Sequence, residues 1–144
     1  MARRWGLSIG LVLLAVFSGV TSLAAGNVAS GVAVFAVLGI LAAIASPRAF
    51  PRSVTDAEAR ARSAEDGRPI VYWRPGCPYC IRLRTTLGRD AGRLHWVDIW
   101  SDPAGAATVR GVTGGDETVP TVVAADRSFV NPAPGLVRGL LPYH

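Results

Sequence analysis

No charged residue occurs between Trp5 and Pro47, and this run decides how the chain divides. Within it, Leu7 to Ala25 and Val28 to Ala45 are apolar segments separated by Gly26-Asn27, a turn signal. At about 1.5 Å per residue, each is long enough to cross a hydrocarbon core of about 30 Å. The expectation is two transmembrane helices (about 7–25 and 28–45) joined by a very short loop. Arg3, Arg4, Arg48 and Arg52 flank the pair, and the loop carries no charge. The positive-inside rule therefore puts both termini, and everything after Arg52, in the cytoplasm. A cleaved signal peptide ending near Leu23-Ala24-Ala25 is the rival reading. It exports the rest of the chain only if one of the two segments fails to span.

Charge follows the same division. Of the net charge of +5, four units reside in the first 53 residues, which hold four Arg and no acid. Residues 54–144 hold eleven Arg against ten Asp and Glu, so that part is near neutral, and nucleic-acid binding has little behind it. We place a membrane anchor with its linker at 1–53 and a second domain at 54–144. Pro47 to about Val54 is the linker, rich in Pro, Arg and Ser without apolar periodicity.

The second domain contains the chain's only two cysteines, in Cys77-Pro78-Tyr79-Cys80. The apolar run Pro69 to Trp73 precedes them, and a helical segment, Ile81 to Leu87, follows. This places a thiol at a strand–turn–helix junction, where unpaired N–H groups and the positive end of the helix dipole favour a thiolate. Cys80 returns to the same face within reach of Cys77. The spacing reads as a redox dithiol. A structural zinc site would need about four ligands, and beyond the two thiols the chain has His95 and His144. A structural disulfide closing so small a loop would constrain little of the unfolded chain. Two inert core thiols fit less well, because Pro78 at a first helical position suits a helix start.

Around the dithiol, patterning predicts a helix from Thr55 to about Asp66, a strand at 69–73 and the dithiol helix to about Arg89. A strand at 94–99 follows, then a helix from about Asp102 to Arg110 and a Gly-rich loop over 111–116. Strands at 119–124 and 128–130 and a short or irregular tail helix complete the domain. The order β-α-β-α-β-β-α implies an α/β domain with a mixed sheet.

These residues resemble the thioredoxin-fold proteins of the glutaredoxin type, and among them the mycoredoxins, over about Pro69 to Asn131. The resemblance rests on Cys77-Pro78-Tyr79-Cys80, Arg82-Leu83-Arg84, Val97-Asp98-Ile99, Gly114-Gly115, Thr118-Val119-Pro120-Thr121-Val122 and Asn131-Pro132, in family order. It implies a mixed four-stranded sheet with flanking helices, here preceded by the hairpin. It implies that Cys77 is the attacking thiol of low pKa and Cys80 the resolving one. Pro120 would be the cis-proline facing them, and Val119 would present its backbone to an extended substrate. Arg74 stands where glutathione-binding glutaredoxins often have Lys, and a cation there would steady the thiolate and bind a small thiol. Tyr79 would line the groove.

The implied activity is thiol–disulfide exchange on protein mixed disulfides. No metal or bound cofactor is implied, and a small thiol serves as co-substrate. Glutathione-binding members have a Gly-Gly and an Asp after the Thr-Val-Pro strand. Ala124 to Ser128 lacks the glycines, so mycothiol is expected over glutathione. His95 is read as packed or capped, and Trp96 and Trp100 as core or rim. Three alternatives stay open: an iron–sulfur cluster held by Cys77 between two copies, an exported dithiol oxidase, and an interaction module whose hairpin recruits a membrane partner, with the thioredoxin-like domain as clamp.

Overall fold

A computed structural model describes residues 2–45 and 50–142; Arg48 and His144 lie outside the described residues. The described chain divides into two compact units, residues 1–49 and 50–144.

The first unit is a helical hairpin, α1 (Ala2–Ala24) and α2 (Val28–Ala45). Its turn uses Gly26 at φ 75°, a value that favours glycine, and Asn27 N–H donates to Ser22 O at 3.0 Å. Small residues face inward: Ala15 and Ala42 are buried, and a methyl group on Gly31 would stand 3.0 Å from Ser22 Cβ. Large apolar side chains face outward, among them Leu13, Phe17, Val20, Val32, Phe35 and Ile40, each more than half exposed. Among the described residues, no helix is long and apolar enough to cross a membrane. The segments expected as transmembrane spans at 7–25 and 28–45 are thus helices joined by a tight turn, but neither has the length and apolarity of a span.

The second unit has the order α3 (Asp56–Asp66), β1 (Ile70–Trp73), α4 (Pro78–Leu87), β2 (His95–Asp98), α5 (Pro103–Thr113), β3 (Thr121–Ala124), β4 (Arg127–Val130) and α6 (Pro134–Gly139). The four strands form one mixed sheet in the order β2-β1-β3-β4. β1 pairs in parallel with β2 and antiparallel with β3, and β3 pairs antiparallel with β4. Every residue of β1 and β2 is buried, as a run covered on both faces must be. This is a thioredoxin-like α/β arrangement, with the dithiol directly beyond the end of the central strand β1.

Several boundaries differ from the sequence reading. α5 runs through Thr113, beyond Arg110, because Thr113 Oγ1 bonds back to Val109 O and Gly114 closes the helix at φ 76°. α4 stops at Leu87, and a 3₁₀ segment, Gly88–Arg93, follows. β3 starts after Pro120, which has no N–H for the ladder. Phe50 to Ser53, read as linker, packs into this unit instead. Phe50 stacks on Trp73 with ring centroids 3.8 Å apart, and Ser53 pairs with Trp96 beside β2.

α3 is fastened by a polar cluster. Asp56 accepts from Tyr72 Oη at 2.5 Å, Arg60 Nε at 2.8 Å and Thr108 Oγ1 at 3.2 Å, and its own N–H donates to Asp102. Burial raises the Asp56 pKa, but the bonds from Tyr72 and Arg60, the Arg60 charge and the bond from Thr108 outweigh it, leaving the carboxyl below its ordinary value. A depressed carboxylate stabilises the fold above its unfolded pKa, near 3.9, and that contribution is lost as pH falls through the lower folded value. Tyr72→Phe, which removes the first bond, is expected to cost about 1–2 kcal/mol at neutral pH in chemical denaturation. The loss should shrink as pH drops below about 4, where Asp56 protonates in the unfolded chain.

α5 also needs one glycine. A Cβ on Gly105 would lie 2.6 Å from Val97 Cγ1 of β2, closer than real carbons approach. Gly105→Ala is expected to destabilise the domain by about 1–3 kcal/mol through overpacking, and an unchanged denaturation midpoint would contradict this packing.

Candidate active site

Cys77 occupies the N-cap of α4, the position where an exposed helix terminus needs an acceptor. Its sulfur fills that role, accepting the Cys80 backbone N–H at 3.3 Å. The turn that delivers it is short. Arg74 O accepts the Cys77 N–H at 3.4 Å, Gly76 takes φ 76°, and Pro78 enters the helix as its first residue. Both cysteines are free thiols. Both are buried, but Cys77 keeps 5% exposure and Cys80 none, so what access a partner has falls on Cys77.

A second loop faces the dithiol. When protonated, Cys77 Sγ donates to Val119 O at 3.4 Å, and the Val119–Pro120 peptide is cis. Thr121 Oγ1 donates to Thr118 O, and Asn131 N–H donates to Pro120 O, so this loop is held from within and from the end of β4. Cys77, Cys80, Val119 and Pro120 are thus brought together. Arg74 contributes its carbonyl and a positive charge. Tyr79 gives a backbone N–H toward Cys77, while its side chain is exposed and lines a neighbouring cavity.

That cavity has a volume of about 240 Å³ and is lined by Tyr79, Arg82, Leu83, Asn131, Pro132, Ala133 and Pro134. Arg82 and the 131–134 segment as cavity wall went unread in the sequence, although Asn131-Pro132 already stood out as part of the family pattern. The segment compared with the missing glycines, Ala124 to Ser128, lies elsewhere. It forms the β3–β4 turn, and because β3 runs antiparallel to β1 (Tyr72 opposite Thr121, Ile70 opposite Val123) the turn sits at the sheet end away from Cys77. Trp100, read as core or rim, stands beside Arg74, with the guanidinium 5.9 Å from its ring centroid. His95 begins β2 at that far end, paired through Nε2 with both Asp66 oxygens at 3.0 and 3.1 Å. Trp96 is buried and donates to Ala91 O. Among the described residues, no group of three or more His, Cys, Asp or Glu is arranged to hold a metal ion.

The electrostatics separate the two thiols. A hydrogen bond from the Cys80 thiol, the backbone N–H groups of Cys80 and Tyr79 and the Arg74 charge together outweigh burial and lower the Cys77 pKa to about 6. Cys80 moves the other way, held protonated by its bond to Cys77, by burial and by the charge of the neighbouring thiolate. One thiolate at neutral pH that still reaches the surface, beside one fully buried thiol, is the arrangement disulfide exchange requires.

Comparison with known proteins agrees. The glutaredoxin family model matches residues 70–130. Two proteins of Mycobacterium tuberculosis, one from strain CDC 1551 and one from strain H37Rv, both provisionally named glutaredoxins, are each 40% identical to this chain over 72 residues. Each match covers 49% of this chain and 86% of the relative. The chain belongs to the glutaredoxin family and is a thiol–disulfide oxidoreductase.

Alkylation of the reduced protein by iodoacetamide should therefore fall on Cys77, with a rate that rises through an inflection near pH 6 and then levels. Cys80→Ala removes the largest cause of the depression. The inflection should move up toward the free-thiol value of about 8.5. Equal labelling of both cysteines, or an unmoved inflection in the variant, would contradict this division of roles.

Proposed function

We propose that this glutaredoxin reduces protein mixed disulfides with a small thiol, Cys77 attacking and Cys80 resolving. The observation that carries the reading is the Cys77 sulfur itself, at a helix N-cap, depressed in pKa and facing the Val119 carbonyl. In the monothiol route the Cys77 thiolate attacks the small-thiol sulfur of a protein mixed disulfide. The protein thiolate leaves and takes a proton, and Cys77 holds the small thiol. A second small-thiol molecule, as its thiolate, then attacks that sulfur, forming the oxidised small disulfide and returning the Cys77 thiolate. In the dithiol route the Cys80 thiolate attacks the Cys77 sulfur within its mixed disulfide, and the partner leaves as its thiolate and takes a proton. Two small-thiol molecules in turn reduce the Cys77–Cys80 disulfide, leaving as their own disulfide. Capping Cys77 removes the thiolate charge that holds the Cys80 proton, so Cys80 becomes the nucleophile only when it is needed.

Four further residues serve binding. Arg74 steadies the thiolate, Val119 and Pro120 offer the edge along which an extended substrate lies, and Tyr79 walls the small-thiol groove. The small thiol is mycothiol in preference to glutathione. The support for this is Asn131-Pro132 closing β4, where the resemblance to mycoredoxins is greatest, and the mycobacterial origin of the two relatives.

Although neither described helix by itself has the length and apolarity of a span, the hairpin is proposed as a two-pass membrane anchor that leaves both termini and the redox domain in the cytoplasm. Its support is the absence of charge from Trp5 to Pro47, the small residues packed inward, the apolar side chains turned outward and the flanking Arg. A hairpin in water would face the opposite way, because a large exposed apolar surface associates or aggregates.

Mass spectrometry of a Cys80→Ser chain from its native cell should find mycothiol on Cys77; glutathione there would reassign the co-substrate. Cys77→Ser should lose turnover of peptide mixed disulfides by at least about a thousandfold, since it removes the nucleophile. Retained turnover would overturn the reading. A reporter active only in the cytoplasm, fused after Arg52, should be active, and a phosphatase active only when exported should be silent. The reverse pattern would make the protein an exported oxidant.

A further inference from the structure

The turn that ends β2 is shaped by a fully buried carboxylate. Asp98 Oδ1 accepts the Trp100 N–H at 3.0 Å, while the Asp98 carbonyl accepts the N–H groups of Ser101 and Asp102 at 3.0 Å each. Pairing with β1 continues past the strand ends, since Ile99 N–H donates to Trp73 O at 3.0 Å. The next residue on one side is Arg74, and on the other it is Trp100. The Arg74 guanidinium carbon lies 5.9 Å from the centroid of the Trp100 ring, within the distance at which an aromatic face attracts a cation. Among the described residues Arg74 makes no ion pair. An Arg side chain without such a restraint spreads over many rotamers. Its backbone carbonyl opens the turn into Cys77, and its charge is one of the causes that draw the Cys77 thiol down.

We propose that Trp100 is a positioning residue whose indole face holds the Arg74 guanidinium at the rim of the dithiol, where the cation steadies the Cys77 thiolate. This rests on the reading of Cys77 as the attacking thiolate. The titratable and charged groups acting on Cys77 are Cys80 from α4 and Arg74 from the β1–α4 turn, and the Val119–Pro120 loop contributes a carbonyl. Trp100 carries no charge, so it reaches the thiolate through Arg74.

The test follows Cys77 alkylation against pH in the reduced full chain, beside mixed-disulfide turnover and a thermal melt. Trp100→Leu keeps apolar bulk and removes the aromatic face. It should raise the inflection and slow alkylation at pH below it by about three- to tenfold, tenfold corresponding to one pH unit. Trp100→Phe retains a ring and should keep most of the wild-type profile. Arg74→Ala should reproduce Trp100→Leu, and combining the two should add nothing. An unmoved inflection in folded Trp100→Leu, or a second full shift in the double variant, overturns the proposal. If Trp100→Leu fails to melt cooperatively, Arg74→Ala and Trp100→Phe decide. An unmoved inflection in the first, or a full shift in the second, overturns it equally. Failure of the underlying reading looks different, because the wild-type chain itself would then show neither turnover nor selective Cys77 labelling.

Discussion

The hydrogen bond from the Cys80 N–H to the Cys77 sulfur joins the fold to its chemistry. A helix that starts at the end of a buried strand must have its first N–H groups satisfied, and an oxygen from Ser, Thr or Asp usually does this. Here a sulfur does it, and the same donor that completes the helix stabilises a negative sulfur. Folding therefore prepares the nucleophile without a separate base. Cys80 adds to this through its thiol, and its own burial keeps it in reserve.

The sheet fixes where that bond forms. β1 is central and buried, and its parallel partner β2 ends at the same level, with Asp98 opposite Trp73. The loops following both strands must then emerge side by side, as ligand sites do at the carboxyl ends of parallel strands. This brings Arg74 to Trp100, while antiparallel β3, entering at the same end, brings Val119 and Pro120 to Cys77. Contacts made this way join residues far apart in the chain through the register of short strands.

That difference in range explains what the sequence disclosed. The dithiol, its helix start and the Thr-Val-Pro element are local patterns with local physical causes, and they were legible as such. Element types were legible too, since Thr55 as a cap and Gly67 as a stop act within one turn of α3. Trp100 was not legible as a neighbour of Arg74, because 26 positions of sequence hide a meeting set by strand register. The glycine comparison at Ala124 to Ser128 failed for a related reason. A short β-hairpin lies between Thr121 and Asn131, so the residues that return to the dithiol end follow β4 and not the turn after β3.

The boundary between the two units shows the same limit from the other side. Composition marked Phe50 to Ser53 as linker, since Pro, Arg and Ser give no periodic signal. Yet Phe50 lies flat on Trp73 and edge-on to Trp96, Ser53 accepts from Trp73 Nε1, and Val54 N–H donates to Trp96 O. These contacts cover the otherwise open edge of β2, where unpaired backbone groups would invite association with another strand. The opposite edge, β4, is only four residues long and starts with the exposed Arg127, two features that discourage strand addition without a cover. A segment without any pattern of its own thus protects the redox domain. It can do so because an edge strand needs only a neighbour with free backbone groups and an aromatic surface to lie against.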